Sequence, residues 1–135
     1  ISMVTIDPWK TKFDGHLTVP LIPQAAAAML ECKPQGVYAI STDKGETHLA
    51  ATTLSAWATE AAHALPEFQA KRIRSGVETI LASARISSEI RGRLQSHGIA
   101  GVQARHYDGH DYMEEKRQAL ETLFQLLDAP EVTCP

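Results

Sequence analysis

The sequence predicts an α+β domain that is mainly α-helical, with a small antiparallel β-hairpin or sheet at its amino terminus. Two short β-prone runs, residues 4–6 and 16–19, come first and enclose a turn-rich segment that carries two lysines. After them, apolar residues recur at helical spacing through most of the chain. Because the strands precede the helices and do not alternate with them, the order favours α+β over a parallel βαβ arrangement.

The first half of the chain also predicts one helix and a third strand. Pro23 suits the first turn of a helix over residues 24–31, since an N–H group at that position would have no partner within the helix. The run Pro34-Gln35-Gly36 breaks this helix. Residues 37–40 are a candidate third strand, and residues 42–45 predict a turn.

Four further helices are predicted in the second half. The first begins at Thr52 or Thr53, stops at Pro66 and carries one apolar face, which consists of Leu54, Trp57 and Ala61. The second spans residues 70–84 and has Ile73, Val77, Ile80 and Leu81 at helical spacing.

The third predicted helix is capped by Ser87 or Ser88, runs to His97 and has Gly98 at the position of a terminating C′ glycine. A short helix is expected toward Tyr107. The last helix spans residues 113–128, with an apolar stripe of Leu120, Leu123, Phe124 and Leu127.

Length and composition are typical of one soluble globular domain of 135 residues, with 44% hydrophobic and 21% charged residues. No apolar run reaches the roughly 20 residues that span a bilayer. Cys32 and Cys134 form neither a CxxC pair nor a metal-ligand cluster, which indicates reduced thiols in a cytoplasmic protein. Because the chain opens Ile1-Ser2-Met3, we expect it to be a piece of a longer protein.

Charge is unevenly distributed along the chain. The net charge is −3, which by itself argues against a nucleic-acid partner. Residues 71–105, however, hold seven Lys or Arg residues and only two acids, Glu78 and Glu89. Because a phosphate ligand responds to the local field, this stretch is a candidate surface for nucleic acid; the alternative is a solvated basic helix face.

Several residues in and after this basic stretch have the chemistry that cutting a DNA phosphodiester without metal requires. Such a reaction needs a nucleophile, cations that hold the non-bridging oxygens, and an acid for the leaving 5′ oxygen. Lys71 and Arg74 form a K-x-x-R pair that shares one helix face, and Arg binds phosphate bidentately. His97 follows, and Tyr107 lies ten residues after it. Each signal alone is weak.

Together, these spacings resemble those of the tyrosine recombinases, which have [HK]-x-x-R, then a histidine, then a tyrosine nine or ten residues later. The wider runs Leu94-Gln95-Ser96-His97-Gly98 and Gln103-Ala104-Arg105-His106-Tyr107-Asp108-Gly109-His110-Asp111-Tyr112 are similar to the phage and prophage integrase branch. The close match covers about a third of the chain.

The amino-terminal hairpin resembles the family's hairpin that ends in a V-P-L strand. In the family, a hairpin lysine reaches into the DNA and acts as the general acid. Lys12, eight residues before Pro20, matches that lysine, and Lys10 is the competing assignment.

The resemblance implies a mechanism without metal or cofactor. Tyr107 attacks the scissile phosphate to give a 3′-phosphotyrosyl link, and Arg74 clamps a non-bridging oxygen. Lys71 and His97 hydrogen-bond the phosphate or assist proton transfer, and Lys12 protonates the leaving oxygen.

The resemblance also implies partners: double-stranded DNA carrying an attachment-type site, and further copies of the chain in a tetramer on that DNA. Arg72, Arg105 and Lys10 are expected DNA contacts, no membrane is involved, and the location is the bacterial cytoplasm near the nucleoid.

One catalytic residue of the family lies upstream of this chain. The family has another arginine on a helix just before the first strand, and residues 1–135 begin at that strand. We therefore expect the chain to be the carboxy-terminal portion of an integrase catalytic domain, without the upstream arm-binding and core-binding regions. Losing one cation from a phosphoryl-transfer site costs on the order of 10²–10³ in rate, so the chain alone should be weakly active or inactive.

Two alternatives stay open from the sequence. One is a non-catalytic relative that keeps these residues and binds DNA but does not cleave it. The other is a helical interaction module whose basic stretch binds an acidic partner. Tyr112 is the competing nucleophile, but it lies fifteen residues after His97, which is too far for the family spacing.

Overall fold

The computed structural model describes residues 3–6, 17–97 and 110–129. Over these residues the fold is mainly helical with a small two-stranded sheet, as the order of sequence patterns predicts. The chain divides into two compact units: the first consists of residues 1–22 and 76–135, and the second of residues 23–75. Its elements are β1 (Met3–Ile6), β2 (Leu17–Pro20), α1 (Pro23–Glu31), α2 (Ala51–Ala61), α3 (Lys71–Ser83), α4 (Ser88–Gln95) and α5 (Met113–Asp128).

The two predicted strands are present and pair with each other. β1 and β2 run antiparallel, with Met3 opposite Pro20 and Ile6 opposite Leu17. Leu17 and Pro20 are buried, whereas Thr18 and Val19 are half-buried. Each boundary lies within one residue of the predicted one, because consecutive β-branched residues favour extended backbone in both strands.

The hydrophobic core of the first unit lies where the second half of α3 meets α4 and α5. Leu81 and Ala119 are fully buried, and Leu94 is nearly so. Half-buried side chains pack around these three: Val19, Val77, Ile86, Ile90, Leu120 and Leu123. Fully burying a leucine stabilises a fold by about 1.5–3 kcal/mol, so Leu81 and Leu94 each contribute on that order.

Two basic side chains of α5 tie that helix to the end of the hairpin. Lys116 Nζ donates to the Thr18 carbonyl oxygen at 2.8 Å, and an Arg117 guanidinium nitrogen donates to the Leu21 carbonyl oxygen at 3.4 Å. Lys116 is only 7% exposed. A buried ammonium is costly unless it is hydrogen-bonded, so this contact fixes where α5 lies along β2.

In the second unit, α1 matches its prediction and the third strand does not form. Pro23 is the first residue of α1, as expected. Residues 37–40 instead belong to a turn in which Val37 and Tyr38 both donate their N–H groups to the Gly45 carbonyl oxygen. Gly45 has φ +87°, and a Cβ there would lie 1.5 Å from the Gln35 carbonyl oxygen. The N–H groups of Val37 and Tyr38 therefore donate within this loop and not to a neighbouring strand.

The predicted turn at residues 42–45 is confirmed, and Asp43 holds it. Its carboxylate accepts hydrogen bonds from the Glu46 and Thr47 N–H groups and from the Thr47 hydroxyl. The Ser41 hydroxyl also donates to it. These hydrogen bonds, with that of Ser41 first, lower the pKa of Asp43 far below its usual value.

α2 has a different start and a more exposed face than the sequence indicates. The helix begins after Ala50, which makes no side-chain cap, so the expected Thr52 or Thr53 cap is wrong. It ends at Ala61, five residues before Pro66. Leu54 and Trp57 are 51% and 48% exposed, and no residue of α2 is buried.

Three expectations for α3 to α5 need correction. Ile73 is 56% exposed and does not pack inward, because the core contacts of α3 begin one turn later at Val77. α4 ends at Gln95 with Ser96 in the left-handed conformation as its cap, so the helix stops before His97 and before Gly98, which lies outside the described residues. Leu127 is 63% exposed, so the apolar stripe of α5 is buried only in its middle.

The other predictions for these helices agree with the structure. The Ser87 side chain caps α4 by accepting from the Ile90 N–H at 3.3 Å. α5 has the predicted bounds. Across residues 3–6, 17–97 and 110–129, none of the helices combines the length and apolar character that crossing a bilayer requires.

Lys116 should give the fold a specific pH dependence. Burial lowers the pKa of Lys116 from its usual 10.5, the Arg93 charge lowers it further, and Asp111 partly opposes both. The native state therefore loses this proton at lower pH than the unfolded chain does. Just below pH 10.5 the unfolded state binds more protons, so the free energy of unfolding contributed by Lys116 rises with pH.

The measurement is urea unfolding at several pH values for the unsubstituted chain and for Lys116→Met. The difference in unfolding free energy between the two should grow in favour of the unsubstituted chain as pH approaches 10.5. Other titrating groups cancel in the comparison. If the unfolding free energies of the two chains change in parallel with pH, Lys116 is not desolvated in the native state.

Candidate functional site

The first turn of α3 presents the predicted cations to solvent. Lys71, Arg72 and Arg74 are all exposed, and the Arg72 N–H donates to the Gln69 carbonyl oxygen as the helix begins. Lys71 and Arg74 are three residues apart, which places them on one face of the helix. The K-x-x-R pair therefore places two cations side by side within one helical turn.

Glu78, one turn further along α3, organises the end of α4. Its Oε1 accepts a hydrogen bond from Arg91 Nε at 2.6 Å, and its Oε2 accepts one from Gln95 Nε2 at 3.0 Å. His97 Nε2 lies 3.4 Å from the same Oε2. One carboxylate thus contacts three side chains along α4 and just beyond it.

The backbone at His97 is fixed as well as its ring. Ser96 adopts the left-handed conformation with φ 57°, and the His97 N–H donates to the Gly92 carbonyl oxygen at 3.0 Å. The His97 side chain remains 28% exposed. The histidine is therefore held in place while one side of it stays open to solvent.

Tyr112 is anchored on α4, immediately before α5 begins. Its hydroxyl donates to Glu89 Oε1 at 3.2 Å, and the Arg93 guanidinium carbon lies 3.9 Å from its ring centroid. Arg93 also donates to Glu89, so these three side chains form one cluster. The Tyr112 backbone is left-handed with φ 56°, which turns the chain into α5.

His110 extends this cluster toward α5. Its ring meets the Tyr112 ring edge-on with centroids 4.5 Å apart, and its Nε2 lies 2.8 Å from Glu115 Oε1. The hydrogen bond from His110 lowers the pKa of Glu115. Residues 110–115 are consequently tied to α4 and α5 through side chains.

The predicted site residues fall into three groups. Lys71, Arg72 and Arg74 belong to the unit of residues 23–75, and His97 belongs to the other unit. The remaining four lie outside the described residues: Tyr107, Arg105, Lys12 and Lys10.

Sequence reasoning missed Glu78 and the Tyr112 anchor. A signal for both existed, because Glu78 and Glu89 are the two acids within the basic stretch. Each of them pairs with an arginine of α4: Glu78 with Arg91, and Glu89 with Arg93. These two isolated acids therefore indicated which arginines of the basic stretch form ion pairs within the fold.

Within the part of the chain that the structure describes, no group of three or more His, Cys, Asp or Glu side chains could hold a metal ion. The chain matches no protein-family model, and neither the curated proteins nor the solved structures include a match.

The Tyr112 anchor yields a stability prediction. Tyr112→Phe removes the hydroxyl that donates to Glu89 and should lower the free energy of unfolding by about 0.5–1.5 kcal/mol. Tyr112→Ala should lower it further, because the Arg93 stacking is lost too. Urea denaturation measures both. Tyr38→Phe deletes a tyrosine hydroxyl outside this cluster and is the matched control; an equal loss in the control would refute the anchor.

Proposed function

We propose that this chain is the carboxy-terminal part of the catalytic domain of a tyrosine recombinase of the phage-integrase type. It would break and rejoin DNA at a specific site through a 3′-phosphotyrosyl intermediate. The observation that carries the proposal is the exposed Lys71 and Arg74 pair on one face of the first turn of α3. His97 and Tyr107 follow this pair at the spacing typical of the family, and they would complete the phosphoryl-transfer site.

In the proposed reaction, Tyr107 Oη forms a bond to the scissile phosphorus, and the bond from phosphorus to the 5′ oxygen breaks. Arg74 neutralises the charge that builds on a non-bridging oxygen, for which its planar fork is suited. Lys71 and His97 donate hydrogen bonds to the phosphate or assist transfer of the tyrosine proton. Lys12, with Lys10 as the competing lysine, gives a proton to the leaving oxygen.

The energy of the broken ester is kept in the phosphotyrosyl bond. A 5′ hydroxyl of another strand can then attack that bond and release the tyrosine, so rejoining needs no nucleotide cofactor. This requires several copies of the chain on two DNA duplexes, and we propose a tetramer.

The anchoring of Tyr112 supports Tyr107 as the nucleophile. The Tyr112 hydroxyl donates to Glu89, and its ring is covered by Arg93. A nucleophilic phenol must approach phosphorus in line, which would require Tyr112 to leave both contacts. Tyr107 lies in the segment between two held residues, His97 and His110.

The pairing of charges in the basic stretch supports DNA as the partner. The arginines of α4 that face acids, Arg91 and Arg93, have structural roles. The cations at the start of α3 are exposed, where they can meet phosphate. We propose double-stranded DNA with an attachment-type site as the substrate, and the nucleoid region of a bacterial cytoplasm as the location.

The proposal predicts a covalent adduct with DNA at Tyr107. The full gene product is incubated with a library of nicked duplexes whose sequence around the nick is random, so that cleavage releases a short strand and religation fails. Protein-linked DNA is recovered under denaturing conditions and digested with trypsin. Tandem mass spectrometry of the peptide covering residues 106–116 should place the adduct on Tyr107.

Other outcomes of that experiment are decisive as well. An adduct on Tyr112, or an adduct that persists in Tyr107→Phe, would show that the nucleophile is wrong. Salt-dependent DNA binding without any adduct would favour the non-catalytic DNA-binding relative. Absence of DNA binding would favour the helical interaction module.

Neighbouring arginines on α3 offer a matched pair of variants. Arg74→Lys keeps the charge but loses the bidentate fork, so the rate of adduct formation at saturating DNA should fall by about 10²–10³. Arg72→Ala should instead weaken DNA binding and lower the slope of log affinity against log salt by about 1. Filter binding and single-turnover kinetics separate the two effects. The same response in both variants would contradict the assigned roles.

A further inference from the structure

Glu78 is a candidate positioning residue that the motif spacing does not reveal. It lies on α3 four residues after Arg74, and its side chain is 33% exposed. Both of its carboxylate oxygens are engaged by the α4 segment. Because a partly exposed ion pair contributes only about 0–1 kcal/mol, the importance of Glu78 lies in the geometry of these contacts and not in their stabilisation of the fold.

Arg91 sets the orientation of the Glu78 carboxylate. Its Nε donates to Glu78 Oε1, and its guanidinium also donates to the Ile86 carbonyl oxygen. The Arg91 side chain is 18% exposed, so it is largely held within the protein. With Oε1 fixed in this way, Oε2 is directed at the end of α4.

Glu78 Oε2 lies close to His97, at a position where the backbone is hydrogen-bonded to the end of α4. Ser96 caps α4, and the His97 N–H is bonded to Gly92, so the ring can vary only through its own side-chain torsions. The Oε2 atom lies 3.4 Å from His97 Nε2. A carboxylate at this distance favours the ring form in which Nε2 carries a proton directed at Oε2.

We propose that Glu78 positions His97 for phosphate chemistry by holding its Nε2–H, so that Nδ1 is the nitrogen presented to the scissile phosphate. This inference rests on the proposed recombinase function. When the ring is protonated, Nδ1–H donates to a non-bridging oxygen; when it is neutral, Nδ1 accepts a proton. Arg91 and Gln95 assist by holding the carboxylate. Glu78 itself touches no reacting atom.

A double-mutant cycle tests the proposal in the full gene product. Glu78→Gln should lower the rate of adduct formation at saturating DNA by about 10-fold, the lower end of what carboxylate partners of metal-bound histidines contribute. In a His97→Ala background the same substitution should change the rate by less than about 2-fold, since its effect passes through the histidine. Glu121→Gln, on the exposed side of α5, controls for loss of one negative charge.

An equal loss in both backgrounds would mean that Glu78 acts through general stability, and it would overturn the proposal. Thermal unfolding of each variant identifies that case directly. Glu78→Asp keeps the carboxylate on a shorter stem, and it should recover part of the rate that Glu78→Gln loses. No recovery, with an unfolding temperature like that of the unsubstituted protein, would also count against positioning.

A second readout needs no activity and so separates this inference from the proposed function. In proton NMR at low temperature, the His97 Nε2–H should exchange slowly enough to be seen, and it is assigned by its loss in His97→Ala. The signal should disappear in Glu78→Ala. If the signal persists in Glu78→Ala, or is absent from the unsubstituted protein, the inference fails whether or not the protein cleaves DNA. If the signal behaves as expected but no adduct forms, the proposed function fails alone.

Discussion

The placement of the α4 side chains against the second half of α3 depends on the Glu78 carboxylate. It meets Arg91, Gln95 and His97 from a single position on α3. One turn later, Leu81 is fully buried against Leu94 and Ala119. Burial of these apolar groups contributes a few kcal/mol, whereas each partly exposed ion pair contributes about 1 kcal/mol or less. Packing therefore holds the helices together, and the carboxylate determines which side chains face its end of the interface.

In α5, too, apolar packing stabilises the helix in the core, and a polar contact determines its position. Its apolar residues Ala119, Leu120 and Leu123 join the core, and Lys116 donates to the hairpin backbone. Burial disfavours the charged form of that ammonium and lowers the pKa of Lys116. A methionine would pack there at lower cost, but it could not bond the Thr18 carbonyl oxygen. The lysine thus gives up some stability and places the helix specifically against β2.

Local signals in the sequence predicted most elements, and longer-range contacts explain where they failed. The paired strands follow from two β-prone runs, the Pro23 helix start and the Ser87 cap from end-of-helix chemistry, and α5 from helical periodicity. The strand expected at residues 37–40 did not form, because the hydrogen bonds close a turn around Gly45, a contact that periodicity cannot show. For the site, spacing predicted the exposed K-x-x-R pair. It did not reveal Glu78, because that residue acts through partners 13–19 positions further along the chain.

In the proposed reaction, Arg74, His97 and Tyr107 act on one phosphate. A crystal structure of the full gene product on a nicked duplex recovered from the adduct library measures this directly. Arg74 and His97 Nδ1 should lie within hydrogen-bond distance of the non-bridging oxygens of one phosphate, with Tyr107 Oη in line with the leaving oxygen. A complex in which these three side chains contact different phosphates, or none, would contradict it.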